Sequence, residues 1–147
     1  MDWRDNLIDD EDRVAALVRG ARRVAVLGIK TEAQRGQAAF YVPAYLAEAG
    51  VEIVPVPVYY PEVTAILGRP VHRRLVDVPG ELDLVDVFRR SSDVPAHLDD
   101  LLAKKPRAVW MQSGIRNDEV AEALARAGIQ VVQDRCLMVD HRAYARG

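Results

Sequence analysis

With one cysteine in 147 residues, Cys136, the chain has neither a disulfide framework nor a cysteine cluster for a structural metal. A reducing, cytoplasmic setting is the expectation that follows. No apolar run is long enough to span a bilayer, and the acidic opening MDWRDNLIDDEDRVAALV contains no uninterrupted apolar core of a signal peptide. A membrane partner is not expected. An excess of positive charge is missing too, since 20 Lys and Arg stand against 22 Asp and Glu, and the basic residues are scattered rather than gathered into a stripe. Nucleic acid is therefore not an expected partner. His72, His97 and His141 lie far apart without metal-ligand spacing, and Ser113 sits in QSG rather than in a nucleophile elbow. No general acid and base pair stands out, so an enzyme is not the expectation.

What the chain does have is a 50% hydrophobic composition, ample for one core, and no linker, internal repeat or low-complexity segment. Residues 1–147 read as a single domain in which 1–21 form a leading helical segment. Asp9 and Asp10 can cap a helix with Val14, Leu17, Val18 and Ala21 on one face. Arg23 to Leu27 is a continuous apolar run, the pattern of a strand buried on both faces. Val42, Tyr45, Leu46 and Ala49 follow at helical spacing, with Pro43 expected in the first turn and Gly50 as the stop.

Further strands are expected at VEIVPVPV, at Asp83 to Phe88, at Arg107 to Gln112 and at IQVV. Ser92 or Asp93 is the expected cap of a helix carrying Val94, Leu98, Leu101 and Leu102, with Pro95 in its first turn. Asn117 is the expected cap of another, with Val120, Ala123, Leu124 and Ala127 inward and Glu122 paired to Arg126. Strands alternating with helices predict an α/β, Rossmann-like three-layer sandwich around a five-stranded, mainly parallel sheet. Ligands of such sheets bind beyond the carboxyl ends of the strands.

Four loops fall at those ends: GIKTEAQRGQ, PVYYP, RRSS and SGIRN. Together they bring Lys30, Arg35, Arg89, Arg90 and Arg116 to one edge of a chain that is acidic overall. The first loop has the layout of an anion-binding turn, strand then glycine then helix, yet only Gly28 of the three fingerprint glycines is present. An NAD site also places an acid near the tip of the second strand, where this chain has Val56, Pro57 and Val58. A phosphate-rich ligand, NADP or the 3′-phospho-ADP portion of coenzyme A, suits the basic residues better. Asp83 is expected to face solvent, and Asp86 to satisfy backbone groups near its strand's end. Cys136, flanked by Leu137 and Met138, reads as a core residue.

The stretches VAVLG, YVPAYLAEAG, VDVFRRSSDVP, VWMQSGIRNDEVAEALARAGIQVV and DRCLMVDH give the chain a resemblance, over about Arg22 to His141, to the stand-alone CoA-binding domain proteins. These are similar to the nucleotide-binding domain of the succinyl-CoA synthetase α-subunit. The resemblance implies that Gly28, Ile29 and Lys30 line a phosphate turn with Arg35 beside it, and that Val56 and Pro57 flank the adenosine. It also implies that Val87, Phe88, Arg89 and Arg90 close over the other side, with Gln112, Ser113 and Gly114 toward the pantetheine arm. Coenzyme A or an acyl-CoA is the implied cofactor, and no protein partner is implied. The family commonly has serine two residues after the first glycine and Asn-Pro after the second strand, where this chain has Lys30 and Pro57-Val58. A second domain with a phosphorylated histidine is not in this sequence, so ligase activity by the chain alone is not expected. The expected role is a non-catalytic sensor, carrier or accessory protein. The alternatives are an NADP-dependent enzyme, a thiol-exchange enzyme using Cys136, or an interaction module with a vestigial nucleotide site.

Overall fold

A computed structural model describes residues 2–146. The apolar runs become the strands β1 (Arg23–Leu27), β2 (Glu52–Val56), β5 (Leu84–Val87), β6 (Ala108–Met111) and β7 (Gln130–Val132), while β3 (Ala65–Ile66) and β4 (Arg69–Pro70) form a short hairpin between β2 and β5. The five-stranded sheet runs in the order β2-β1-β5-β6-β7, and every pairing in it is parallel. The helices are α1 (Glu11–Gly20), α2 (Ala38–Glu48), α3 (Leu98–Lys104), α4 (Asp118–Arg126) and α5 (Leu137–Tyr144).

The strands are apolar on both sides because both sides are covered. Val24, Val26, Leu84 and Trp110 pack with Val14 and Val18 of α1, Phe40 and Leu46 of α2, and Leu137 of α5. Ala25, Leu27, Val85 and Val109 pack with Leu101 of α3, Val120 and Leu124 of α4, and Leu75, Val78 and Leu82 of the β2–β5 connection. Each fully buried aliphatic side chain of this kind contributes about 1.5–3 kcal/mol over an exposed one. The helix after β1 thus lies on one face and the helix after β5 on the other. The crevice between those two strand ends is left uncovered, which makes it the switch point of the fold.

Three local expectations need correction, and one helix had no expectation attached to it. Pro43 lies in the middle of α2 rather than in its first turn. The carbonyl its missing N–H leaves free, that of Ala39, instead accepts from the amide of Lys30 at 3.1 Å, so the helix tolerates proline because the preceding loop uses the vacancy. On α4, Val120, Ala121, Leu124 and Ala125 are buried, whereas Ala127 is exposed at the C-cap. The cap itself is as expected, with Asn117 Oδ1 accepting from the Val120 amide at 3.1 Å, and Arg126 Nε donates to Glu122 at 2.9 Å. Ser91 to His97, including Pro95, form a 3₁₀ stretch before α3 begins, capped at Arg90 and not by Ser92 or Asp93. Finally, DRCLMVDHRAY contains α5, whose apolar face is too short to read in sequence and is fixed by packing on α1 and α2.

Asp10 caps α1 by accepting from the Arg13 amide at 3.1 Å. Ahead of that helix, Trp3–Asn6 form a 3₁₀ turn, and the Ile8 amide donates to the Val131 carbonyl at 2.8 Å. The leading segment therefore covers the outer edge of β7, which would otherwise present unpaired backbone groups. Among the described residues no helix is long and apolar enough to cross a membrane.

Candidate functional site

The loop from β1 to α2 occupies Gly28 to Gln37 and is held by its own backbone. Gly28 donates to the Val56 carbonyl at 2.9 Å, which ties the β1 and β2 ends together. Its φ is +87°, and a Cβ built there would stand 2.3 Å from the Phe88 carbonyl oxygen. The first position of the loop thus admits only glycine, for conformation and for space. Ile29 is buried beneath the loop. Thr31 and Gln34 brace the 3₁₀ turn Glu32–Gln34, with Thr31 Oγ1 accepting from the Ala33 amide at 3.2 Å and Gln34 Oε1 from the Thr31 amide at 3.0 Å.

This bracing stops at the start of α2. Gln37 supplies no side-chain cap, and the amides of Ala38 and Ala39 have no backbone partner. Two free donors at the positive end of an eleven-residue helix favour an anion. Lys30 and Arg35 stand in the loop that leads to it. Lys30 Nζ hydrogen-bonds the neutral Gln37 Oε1, and the Arg35 guanidinium lies 5.9 Å from the Phe40 ring centroid. Neither has a carboxylate within ion-pair distance among the described residues, and neither positive charge is compensated there.

The remaining cations of the rim behave differently. Arg89 lies 3.7 Å and Arg90 3.0 Å from Asp93, and Arg116 lies 3.1 Å from Asp118. The arginines expected from sequence to form one basic rim are thus largely matched by acids, because Asp93 and Asp118 follow them into the next helical turns. Uncompensated charge remains at Lys30 and Arg35. These donors and charges fit a pyrophosphate, which requires backbone N–H groups and cations together.

The other residues expected at the site divide by burial. Val56, Pro57 and Val87 are buried at the ends of β2 and β5. The carbonyls of Val56 and Val87 are taken by the amides of Gly28 and Gln112. Phe88 is half-buried, and its amide donates to the Leu27 carbonyl at 2.8 Å. Gln112 is buried, with Oε1 accepting from the Leu137 amide at 3.0 Å, so it anchors the start of α5. Ser113 and Gly114 are exposed, and the Gly114 amide donates to Asp134 at 2.6 Å.

Sequence reading missed the neighbourhood of Tyr59, Arg73, Arg74 and His97. A cavity of about 390 Å³ is lined by Leu27, Pro57 and Val58, by Ala96, His97, Asp99 and Asp100, and by Arg73 and Arg74. Arg73 and Arg74 lie in a long connection without helical or strand periodicity, so no pattern marked them. His97 has no metal-ligand spacing in the sequence, yet its Nε2 accepts from Arg89 Nε at 3.2 Å. Burial and the adjacent guanidinium both push its pKa down.

Two expectations about other residues change. Asp83 does not simply face solvent, because its Oδ2 accepts from the amides of Arg22 and Arg23 at 3.1 and 2.9 Å. Asp86 satisfies no backbone group: it is fully buried in β5, and both carboxyl oxygens lack a partner. Cys136 is half-buried, at the N-cap of α5, and packs against the core that holds Leu137.

A doubly covered parallel sheet with an uncapped helix start at its switch point defines a Rossmann-like type of α/β protein. The chain belongs to the CoA binding domain family, whose model matches residues 22–142. A Bacillus subtilis (strain 168) protein, the uncharacterized protein YneT, is 30% identical over 128 residues, covering 87% of this chain and 91% of the relative. A solved Thermus thermophilus structure, cell-free ID.343, is 38% identical with a TM-score of 0.83, covering 92% of this chain and 99% of that one. A hypothetical protein from Pyrococcus horikoshii OT3 shares the fold at 24% identity, with a TM-score of 0.81 and 92% of each chain covered.

Proposed function

We propose that this protein binds coenzyme A or an acyl-CoA without chemistry of its own, as a sensor, carrier or accessory protein of the cytoplasm. The observation that carries the reading is the uncapped start of α2, with Lys30 and Arg35 uncompensated beside it. Membership of the CoA binding domain family supports the choice of coenzyme over other phosphate-rich ligands. The absence of chemistry is supported by the engagement of two of the three histidines within the protein: His97 is held by Arg89, and His141 Nδ1 by the Tyr45 hydroxyl at 2.9 Å.

Thermal shift and calorimetry with coenzyme A, dephospho-coenzyme A, NAD and NADP test the reading. Coenzyme A should give the largest shift, about 2.7 kcal/mol of added stability at 100 times its Kd. Lys30→Ala and Arg35→Ala should each weaken binding by about 1.5–3 kcal/mol if the lost contact is to phosphate, with little change in the Tm of the free protein. A larger shift with NADP, or full affinity in both variants, would overturn the assignment.

One observation favours a second reading, thiol exchange, because Cys136 is half-buried rather than sealed in the core. Its thiolate would attack the disulfide of oxidised coenzyme A, leaving a protein–coenzyme mixed disulfide and releasing one coenzyme A thiolate. The apolar packing around Cys136 weighs against it, and the expected result is no addition to the native protein. Intact mass after incubation with coenzyme A disulfide, with Cys136→Ser as control, decides the matter. Rapid stoichiometric addition, absent from the control, would replace the non-catalytic reading.

A further inference from the structure

The β2–β5 connection contains an exposed aromatic ring held with unusual care. Tyr59 is 57% exposed, and it lies three residues beyond Val56, whose carbonyl is bonded to the Gly28 amide. A tyrosine on a loop tip is ordinarily a mobile side chain. Here Arg73, from the far side of the β3–β4 hairpin, donates to the carbonyls of Tyr59 at 3.3 Å, Tyr60 at 3.1 Å, Pro61 at 3.2 Å and Val63 at 2.6 Å. One guanidinium so fixes a five-residue stretch, in which Tyr60 adopts a φ of +63°, a conformation disfavoured for a non-glycine residue.

The result of this clamp is the placement of the Tyr59 ring against Arg89. The Arg89 guanidinium lies 5.5 Å from the ring centroid, and its Nη1 donates to the Tyr59 hydroxyl at 3.3 Å. Arg89 is itself fixed by His97 and Asp93, and its side chain is 14% exposed. The Tyr60 ring meets Tyr59 edge to face, 6.4 Å away. A flat π-face and a flat cation are therefore held together next to Val58, Arg73 and His97, which line the cavity. Loop stability alone does not require a solvent-facing ring at that point. A planar, electron-rich heterocycle does, since stacking on aromatic and guanidinium faces is tolerant of sequence and strong when the platform is pre-formed.

We propose that Tyr59, with Arg89, is a stacking platform for an adenine base, and that Arg73 is the positioning residue that holds the platform in place. This deepens the coenzyme reading and rests on it for the identity of the ligand. The base would stack on Tyr59 while the pyrophosphate occupies the start of α2, two sites linked through the Gly28–Val56 bond.

The test measures affinity and Tm for the wild type, Tyr59→Ala, Tyr59→Phe and Arg73→Ala. The ligands are coenzyme A, adenosine 3′,5′-bisphosphate and 4′-phosphopantetheine, which has no adenine. Tyr59→Ala should weaken the two adenine ligands on the order of 10- to 100-fold, leave 4′-phosphopantetheine and Tm unchanged, and be rescued by Tyr59→Phe. Arg73→Ala should weaken the same two ligands. If coenzyme A binds the wild type and Tyr59→Ala equally well, the platform is overturned and the coenzyme reading stands. If the wild type binds adenosine 3′,5′-bisphosphate through Tyr59 but not coenzyme A, the coenzyme reading falls and the platform stands. Binding of none of the three overturns both.

Discussion

Gly28→Ala should give a protein that is unstable or fails to accumulate in folded form. A left-handed backbone costs a residue with a side chain about 1–2 kcal/mol, and forced overpacking adds about 1–3 kcal/mol. Both apply here, because φ is +87° and the added methyl would meet the Phe88 carbonyl, a backbone atom of the neighbouring strand end that cannot rotate away. The expected loss is about 2–5 kcal/mol, a large part of the roughly 5–15 kcal/mol that holds an ordinary domain folded. Chemical denaturation of Gly28→Ala beside Gly36→Ala checks it. Gly36 lies in the same loop with open space around its Cα, so its substitution should cost little. Equal midpoints for the two variants would mean that the β1 and β5 ends can separate, and that the crevice is not set by their contact.

Replacing Asp86 should have the opposite effect. A carboxyl group at the centre of a parallel sheet, registered between Val26 and Trp110 and lacking any hydrogen-bond partner among the described residues, favours its neutral form, because burial pushes its pKa well above the ordinary aspartate value. In the unfolded chain the carboxyl ionises near the ordinary aspartate value of 3.8, so above that pH the folded state binds more protons than the unfolded one. Stability contributed by this residue is therefore highest in acid and declines as pH rises toward the folded pKa.

Asp86→Val should raise stability at neutral pH by about 1–3 kcal/mol, the cost of an unsatisfied buried polar group. For a chain of this size that is roughly 2–12 °C in Tm. The gain should shrink on acidification toward pH 4, and Asp86→Asn should remove the pH dependence while keeping the polar burden. A difference between wild type and Asp86→Val that widens in acid would show that Asp86 carries its charge against a partner.

Glu11 sharpens the contrast. Glu11 is held down to about 2 by bonds from Arg135 and Tyr144. Its stabilising contribution is present above its unfolded pKa and lost as pH falls toward 2. Asp86 and Glu11 thus pull the stability profile in opposite directions, and removing Asp86 should leave the acid limb in which Glu11 participates.

Sequence by itself determined the layers of this protein. Continuous apolar runs at VAVL, EIVPV, LVDV and AVWM can be buried only in a sheet covered on both faces, and helical spacing between most of them leaves parallel crossovers as the connection. Asp10 and Asn117 were legible as caps because a cap is a local event, settled by one side chain and an amide three residues on. Gly28 was legible as a turn at a strand end, but the reason alanine is excluded was not, since the obstructing Phe88 carbonyl lies sixty residues further along the chain. Compensation of charge was legible only in part: Asp93 follows Arg89 by four residues and pairs with it within a helical turn, whereas only the tertiary structure shows that no distant acid folds back onto Lys30. Pro43 read as a constraint on where α2 begins, because the use of the freed Ala39 carbonyl by Lys30 depends on how the preceding loop folds back. Tyr59, Arg73 and the orphaned carboxyl of Asp86 belong to the tertiary structure for the same reason. Periodicity reports which residues are buried, whereas partners are chosen by distances that the chain sets only when the sheet and its two helical layers close.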